Sequence, residues 1–141
     1  MRKNLPLFFF VSFFTLLMIQ GCAPMGSGTA ATPNDAIPKG TITAQAEFLP
    51  LNSQTASGVA VIYNIDAETW VVRLEGVSFP VETGLQLIPV ADSAAVGTTS
   101  LRSSKGTQNY ALTLATAPTK WNKVRIYSTK TQTDYAEALF K

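Results

Sequence analysis

The sequence contains no histidine, and its single cysteine, Cys22, lies near the amino terminus. The methionines, at positions 1, 18 and 25, also precede the part of the chain that has a folding pattern. A domain without imidazole, free thiol or thioether cannot assemble the usual ligand sets for zinc, copper, haem or iron–sulfur clusters. A disulfide within the chain is excluded because it needs two cysteines. We therefore expect no cofactor and no transition-metal site, whereas a hard cation held by oxygen ligands stays open.

Charged residues are also few: they make up 14% of the chain, with 11 basic and 9 acidic side chains. Arg2 and Lys3 precede the first hydrophobic run, so the rest of the chain is close to neutral. This balance demands no strongly basic face, which argues against a nucleic-acid partner. We interpret a late basic cluster as a charged, soluble strand edge, with an anion site as the alternative. The cluster comprises Lys120, Lys123, Arg125 and Lys130.

Residues 5–19 form the one long hydrophobic run of the sequence, after a short basic start. As a helix this run would span only ~22 Å, short of the ~30 Å hydrocarbon core of a bilayer. The residues Ile19-Gln20-Gly21-Cys22 that follow resemble a bacterial lipobox. We predict a signal peptide at 1–21, cleavage between Gly21 and Cys22, and acylation of Cys22. An uncleaved membrane anchor is the alternative.

The lipobox resemblance implies a diacylglyceryl group and an amide-linked acyl chain such as palmitate on Cys22. Several acyl chains give stable anchoring, so the lipid bilayer is the first expected partner. Ala23, rather than aspartate, follows the cysteine. This resembles the pattern of lipoproteins sent to the outer membrane, where we place the protein. Residues 22–39 are rich in Ala, Pro, Gly, Ser and Thr, and we predict that they form a flexible, lipidated tether.

From residue 40 onward apolar and polar residues alternate with period two, the pattern of half-buried strands. The short segment 66–68 predicts a hairpin link, and 92–96 is the best candidate for a helical turn. We predict an all-β domain over 40–141, an antiparallel β-sandwich or barrel of about seven to eight short strands. The predicted strands are 41–48, 59–65, 70–75, 85–90, 98–101, 108–114, 123–128 and 134–140.

Several short segments of this region resemble, in order, the electron-transfer DM-thirteen family, a small β domain often found beside DOMON domains. They include Ser-Gly-Val-Ala-Val-Ile-Tyr at 57–63, Gly-Thr-Gln-Asn-Tyr at 106–110, Trp-Asn-Lys-Val-Arg-Ile-Tyr at 121–127 and Tyr-Ala-Glu-Ala-Leu at 135–139. The resemblance covers residues 40–140 and implies a β fold with a role in electron transfer. The family's cysteine falls on Ser128 here, and a histidine common in the family is absent near Gln54. A hydroxyl cannot cycle through thiolate and disulfide, so the redox chemistry does not carry over.

Large aromatic side chains are the best candidates for ligand or partner contact. We select Trp121 and Tyr127, together with Ser128 next to Tyr127, and expect Trp121 to be exposed because it follows Pro118 and Lys120 in a loop-like stretch. The alternative is core packing with polar tips at the rim. It applies to the whole aromatic set, which is Tyr63, Trp70, Tyr110, Trp121, Tyr127 and Tyr135.

Three pairs of residues are candidates for catalysis or cation binding. Ser128 and Lys130 could share a strand face as nucleophile and base, although nothing marks a buried lysine or an oxyanion hole. Two carboxylate pairs could serve acid–base work or hold calcium, and the alternative is an ordinary turn or surface role. They are Asp66 with Glu68 and Asp134 with Glu137.

The sequence therefore predicts a membrane-anchored envelope lipoprotein that is not an enzyme. Its single β domain would act as a binding or structural module, with an envelope protein or a small ligand as partner. The alternative, implied by the family resemblance, is an accessory to an envelope electron-transfer system that lacks a thiol of its own.

Overall fold

Strands form along the period-two regions of the chain in the computed structural model, which describes residues 31–141. This range contains nine strands and no helix, and so no helix that is long and apolar enough to cross a bilayer. The predictions for Gly21, Cys22 and the signal peptide lie outside the described residues. The strands are β1 (Thr41–Pro50), β2 (Ser57–Asn64), β3 (Thr69–Ser78), β4 (Leu85–Ala91), β5 (Ala94–Ala95), β6 (Thr99–Ser100), β7 (Lys105–Thr113), β8 (Trp121–Ser128) and β9 (Thr133–Leu139).

Strand β1 joins the two halves of the fold. Its residues Thr41 to Glu47 pair with β2, whereas Phe48 to Pro50 pair with β9. The strand order is β5-β4-β8-β9-β1-β2-β3-β7, with β6 beside β4, and all the pairings between strands are antiparallel. The sheet curls into a half-barrel, so the predicted all-β antiparallel fold is confirmed.

The inner faces of the two halves pack against each other to form the core. Phe48 and Phe79 meet edge to face, with ring centroids 5.2 Å apart. Burying one such large apolar side chain stabilises the fold by about 1.5–3 kcal/mol. Further core residues from the two halves are Ile62, Val72, Leu74, Leu87, Val124 and Ile126.

The domain has two ends, which we call upper and lower. At the upper end β1, β3 and β8 begin, at Thr41, Thr69 and Trp121. At the lower end β7 begins at Lys105 and β8 ends at Ser128. The antiparallel registers fix this arrangement, because Ser78 is opposite Lys105 and Leu85 is opposite Ser128.

Two local predictions are wrong. Residues 92–96 are not helical: Asp92 and Ser93 have φ of 47° and 67°, and they connect β4 to β5 in a tight hairpin. Two consecutive positive φ values are typical of a type I′ turn. Alternation over residues 41–48 predicts that Ile42 shares the buried face of Ala44, but Ile42 is 51% exposed. A register shift between Ile42 and Ala44 breaks the alternation there.

The predicted flexible tether also differs from the structure over residues 33–36, which we call the strap. The Thr107 N–H donates to the Pro33 carbonyl at 2.8 Å, and the Asp35 N–H donates to the Thr107 carbonyl at 3.0 Å. Arg73 Nη1 donates to the carbonyls of Asp35 and Ala36, at 2.9 and 3.0 Å. These hydrogen bonds hold the strap on β3 and β7, so the prediction of flexibility is wrong for this segment.

Candidate functional site

The two halves of the sheet open at the upper end into a cleft of about 280 Å³. Its aromatic walls are Trp70 from β3, Trp121 from β8 and Phe140, which follows β9. Its polar rim consists of Thr43, Thr119, Lys120 and Lys141. We call this space the tryptophan cleft. Among the described residues, the charged side chains that line it are both lysines.

The two tryptophans come together because β3 and β8 both begin at this end. Their ring centroids are 5.5 Å apart with an interplanar angle of 60°, an edge-to-face contact. Trp70 is 6% exposed and Trp121 is 7% exposed. Such a pair contributes about 0.5–1.5 kcal/mol beyond the burial of its area. The expectation that Trp121 is exposed is therefore wrong, because the residue opens a strand and packs on its counterpart in β3.

Both indole Nε1 atoms are buried and have no hydrogen-bond partner in the part of the chain that the structure describes. A buried donor without an acceptor costs about 1–3 kcal/mol, so such groups are few in native proteins. Two of them occur here in adjacent rings that line an open cleft. Because both nitrogen atoms are buried, an oxygen acceptor in the cleft would offset this cost only after a local rearrangement of the cleft walls.

Asp92 shapes the loop that forms one side of the cleft. Its carboxylate accepts the backbone N–H groups of Thr119 and Lys120, at 3.0 and 2.9 Å, and also the Thr119 hydroxyl. The hydrogen bond from the Thr119 side chain, followed by that from its backbone, holds the pKa of Asp92 below its usual value. The anionic carboxylate therefore fixes Thr119 and Lys120 at the rim.

The structure separates the three predicted contact residues. Trp121 and Ser128 lie at opposite ends of β8, which has 8 residues, so their Cα atoms are about 23 Å apart. Tyr127 is half-buried, and Ser128 is completely buried. Ser128 cannot touch a ligand without local rearrangement, and the three residues do not form one site.

Ser128 instead belongs to a hydrogen-bonded cluster at the lower end. Its Oγ donates to Glu82 Oε1 at 2.7 Å and accepts the Thr131 N–H at 3.2 Å. The Tyr135 hydroxyl donates to the other oxygen of Glu82. These bonds, with that of Tyr135 the larger cause, hold the pKa of Glu82 below its usual value. A carboxylate of lowered pKa is a weak proton acceptor, which makes it a poor base for a serine nucleophile.

The carboxylate pairs of the sequence are engaged with other groups. Asp66 Oδ1 accepts the backbone N–H groups of Glu68 and Thr69, at 3.0 and 2.8 Å, which closes the β2–β3 hairpin. Those bonds, the one from Glu68 first, hold the pKa of Asp66 below its usual value. Between β8 and β9, Asp134 pairs with Arg125 at 2.8 Å and Glu137 pairs with Lys123 at 2.9 Å. Within residues 31–141 no group of three or more potential ligands is placed to hold a metal ion.

Those ion pairs also neutralise half of the late basic cluster. Arg125 and Lys123 face carboxylates across β8 and β9, whereas Lys120 lies at the rim of the tryptophan cleft. Sequence reasoning selected Trp121 but missed Trp70 and Phe140 as its neighbours. Which aromatic rings meet depends on the pairing of strands that are distant in sequence. Alternation within a single strand does not predict that pairing.

Comparison of the chain with protein-family models, with curated proteins and with solved structures gave no match. The DM-thirteen resemblance therefore stays a prediction.

Proposed function

We propose that the protein is a lipoprotein of the bacterial outer membrane, anchored through acylated Cys22, whose β domain is a non-enzymatic binding module. Its ligand site is the tryptophan cleft. One observation carries this proposal: two adjacent indole N–H groups, both buried, lack an acceptor beside an open cleft. A ligand that supplies acceptor oxygens gains hydrogen bonds that the free protein lacks.

The chemistry of the cleft favours a small organic anion with an apolar body. Its aromatic walls suit a ring or a short hydrocarbon, and Lys120 and Lys141 suit a negative charge. The volume of about 280 Å³ lies near the lower limit of ligand pockets, which is about 300 Å³. A compound of one ring and one anionic group fits these three properties.

The lower end supports a non-enzymatic role. Ser128 is the side chain that the sequence analysis considered as a nucleophile, with Lys130 as its base. Its hydroxyl donates a hydrogen bond to Glu82, and Lys130 is not its partner. Its burial and its acceptance of the Thr131 N–H suit a residue that holds a loop in place.

Benzenesulfonate tests the ligand site, because it joins a phenyl ring to three acceptor oxygens and a charge that persists at low pH. Trp70 and Trp121 are the only tryptophans in the chain, so tryptophan emission reports on the cleft directly. We expect a saturable change on titration with benzenesulfonate. Methyl phenyl sulfone, which keeps the ring and two oxygens without the charge, should bind more weakly. The absence of a saturable change with either compound would refute the site.

The anchor is tested separately with Cys22→Ser. We expect the unsubstituted protein to enter the detergent phase in a two-phase partition and to carry the mass of its acyl groups. Cys22→Ser should keep its signal peptide, and its mass should lack the acyl groups. If the unsubstituted protein also lacked the mass of acyl groups, the lipid anchor would be excluded while the cleft stayed intact as a binding site.

A further inference from the structure

The strap determines where the chain that leads to Cys22 leaves the domain. It runs parallel to β7, with Asn34 bridged to Thr107, so Pro33 lies toward the lower end and Ala36 lies further up. After the strap the chain continues to Thr41, where β1 begins at the upper end. The strap therefore carries the chain along the sheet from one end of the domain to the other.

Polar contacts from three strands or loops hold the strap. The Asp35 carboxylate forms an ion pair with Arg102 and accepts the Asn109 N–H at 2.8 Å. The ion pair with Arg102 is the main cause that holds the pKa of Asp35 below its usual value. Asn109 Nδ2 donates to the Ala36 carbonyl at 2.7 Å, in addition to the two bonds from Arg73.

The sequence also provides the room that the strap needs. Gly106 has φ of 100°, and a Cβ at this position would overlap the carbonyl oxygen of Pro33. Below the strap, Arg73 is 6% exposed and lies opposite Val61, which is 2% exposed. Residues opposite each other on neighbouring strands share a face, and the bonds of Arg73 to Asp35 and Ala36 place the strap over the outer face of β3.

The path of the strap determines which end of an anchored domain lies nearer the membrane. Without the strap the chain would join the domain at Thr41, two residues from Thr43 at the rim of the cleft. With the strap it leaves beside Gly106, near the start of β7. The 9 residues of β7 span about 27 Å between those two ends.

We propose that the strap turns the lower end of the domain toward the bilayer and presents the tryptophan cleft to the space away from the membrane. This inference rests on the lipid anchor proposed above. Cys22 and Pro33 are 11 residues apart, which at full extension is at most about 40 Å.

The lower end suits a surface that faces lipid headgroups. Val81 is 85% exposed in the loop that precedes Glu82. Lys105 and Lys130 are exposed at the same end and form no ion pair within the described residues. An exposed aliphatic side chain and two exposed lysines at the same end of the domain fit the interface of an anionic bilayer.

A matched pair of labelled variants tests the orientation. Lys105→Cys and Lys120→Cys each remove one exposed lysine, at the lower and upper end respectively. The full-length, acylated variants are labelled with a fluorescent donor and reconstituted into phosphatidylethanolamine–phosphatidylglycerol vesicles that contain a rhodamine-labelled lipid. We expect energy transfer to be several-fold more efficient from position 105 than from position 120. Equal transfer, or more efficient transfer from position 120, would overturn the proposed orientation.

Asp35→Ala in each labelled variant tests whether the strap is the cause. We expect transfer from position 120 to rise and the contrast between the two positions to shrink. Asp134→Ala is the matched control, because it removes the Asp–Arg pair with Arg125, away from the strap. Hydrogen exchange at the Thr107 amide, which donates to Pro33, shows whether the strap has been released.

If Thr107 stays protected in Asp35→Ala, Asp35→Pro also removes the N–H that donates to Thr107. If the strap is released but the difference in energy transfer between positions 105 and 120 does not change, the strap does not orient the domain. Failure of the lipid anchor has a different signature: Cys22 would carry no acyl groups and would itself take up the label.

Discussion

Trp70 and Trp121 meet edge to face across the two halves of the sheet, with ring centroids 5.5 Å apart, and neither indole N–H has an acceptor among the described residues. The contact between the two rings therefore stabilises the fold through aromatic packing, whereas the buried N–H groups without acceptors destabilise it. A phenylalanine at either position would keep an aromatic ring and avoid the buried N–H that has no acceptor. Retention of two indoles beside a cleft with two lysines fits a binding site better than a purely structural core.

The first prediction concerns the N–H of Trp121. Trp121→Phe keeps an aromatic ring and removes the unsatisfied donor, whose burial costs about 1–3 kcal/mol. This gain offsets part of the lost apolar contact, so we expect the free energy of unfolding to fall by less than about 1 kcal/mol. Trp121→Ala removes the whole ring and should cost about 3–5 kcal/mol. Urea denaturation, followed by far-ultraviolet circular dichroism, measures both changes.

The binding readout separates the two roles of the same side chain. Trp121→Phe should weaken benzenesulfonate binding, followed through the emission of Trp70, although it leaves the fold stable. A destabilisation as large as that of Trp121→Ala would contradict the view that the indole N–H is unsatisfied.

The second prediction concerns charge at the rim of the cleft. Lys120→Gln removes a positive charge, which at about 4 Å from an anion in water contributes ~1 kcal/mol. We expect the Kd for benzenesulfonate to rise by about fivefold, since ~1.4 kcal/mol corresponds to tenfold. Affinity for methyl phenyl sulfone should not change, and added salt should reduce the difference between the two compounds.

Lys123→Gln is the control for this experiment, since Lys123 lies three residues further along the chain, in β8, but pairs with Glu137. Its substitution should leave the affinity for benzenesulfonate unchanged. Equal effects at positions 120 and 123 would mean that net charge, rather than a group in the cleft, determines binding.

Local patterns predicted most of the fold. Alternation identified the cores of β1, β2, β3, β4, β7, β8 and β9, and the Asp66–Glu68 link predicted the hairpin between β2 and β3. These features depend on residues that are neighbours in sequence, so one strand or turn suffices to recognise them. The short β6 was recognised too, as part of 98–101.

The errors arose where the backbone departs from regular geometry or where distant segments meet. Nothing about Asp92 and Ser93 as residue types required two positive φ values, and the hairpin they form became clear only once β4 and β5 paired. The strap has the composition of a coil, and its order depends on Arg73 and Asn109 in other strands. The sequence singled out Trp121 as a contact residue but not Trp70, which meets it only through the pairing of distant strands.

The third prediction concerns Ser128, the position that corresponds to the cysteine of the DM-thirteen family in the resemblance. Ser128→Ala removes the donor to Glu82 and the acceptor of the Thr131 N–H. We expect a loss of about 1–2 kcal/mol in the free energy of unfolding, from two hydrogen bonds of about 0.5–1.5 kcal/mol each. Binding of benzenesulfonate should be unaffected, because the cleft lies at the other end of β8. Chemical denaturation and the tryptophan titration measure the two quantities.

Thr113→Ala is a suitable comparison, since this residue lies at the exposed end of the edge strand β7. Its change in stability should be within about 0.5 kcal/mol, as for most surface positions. A loss of ligand binding in Ser128→Ala without loss of stability would place a functional site at the lower end instead.

The last prediction concerns pH and Asp92. Hydrogen bonds from Thr119 and Lys120 depress the pKa of this carboxyl in the folded protein. A depressed folded pKa contributes stability that is fully present above the unfolded pKa of about 3.9 and is lost as pH falls through the folded value. We therefore expect the unsubstituted protein to be more stable than Asp92→Asn at neutral pH, with a difference that shrinks below about pH 4.

Protonation of Asp92 should also weaken ligand binding in the cleft, because Asp92 fixes the loop that carries Lys120. Benzenesulfonate remains ionised in this range, so a fall in its affinity on acidification reports on the protein and not on the ligand. Asp92→Asn should show weaker binding at neutral pH and a flatter pH dependence. Asp66→Asn is the control: its carboxyl also has a depressed pKa, but it accepts hydrogen bonds in the β2–β3 hairpin and does not line the cleft. An equal pH dependence of binding in the two variants would show that Asp92 does not organise the rim.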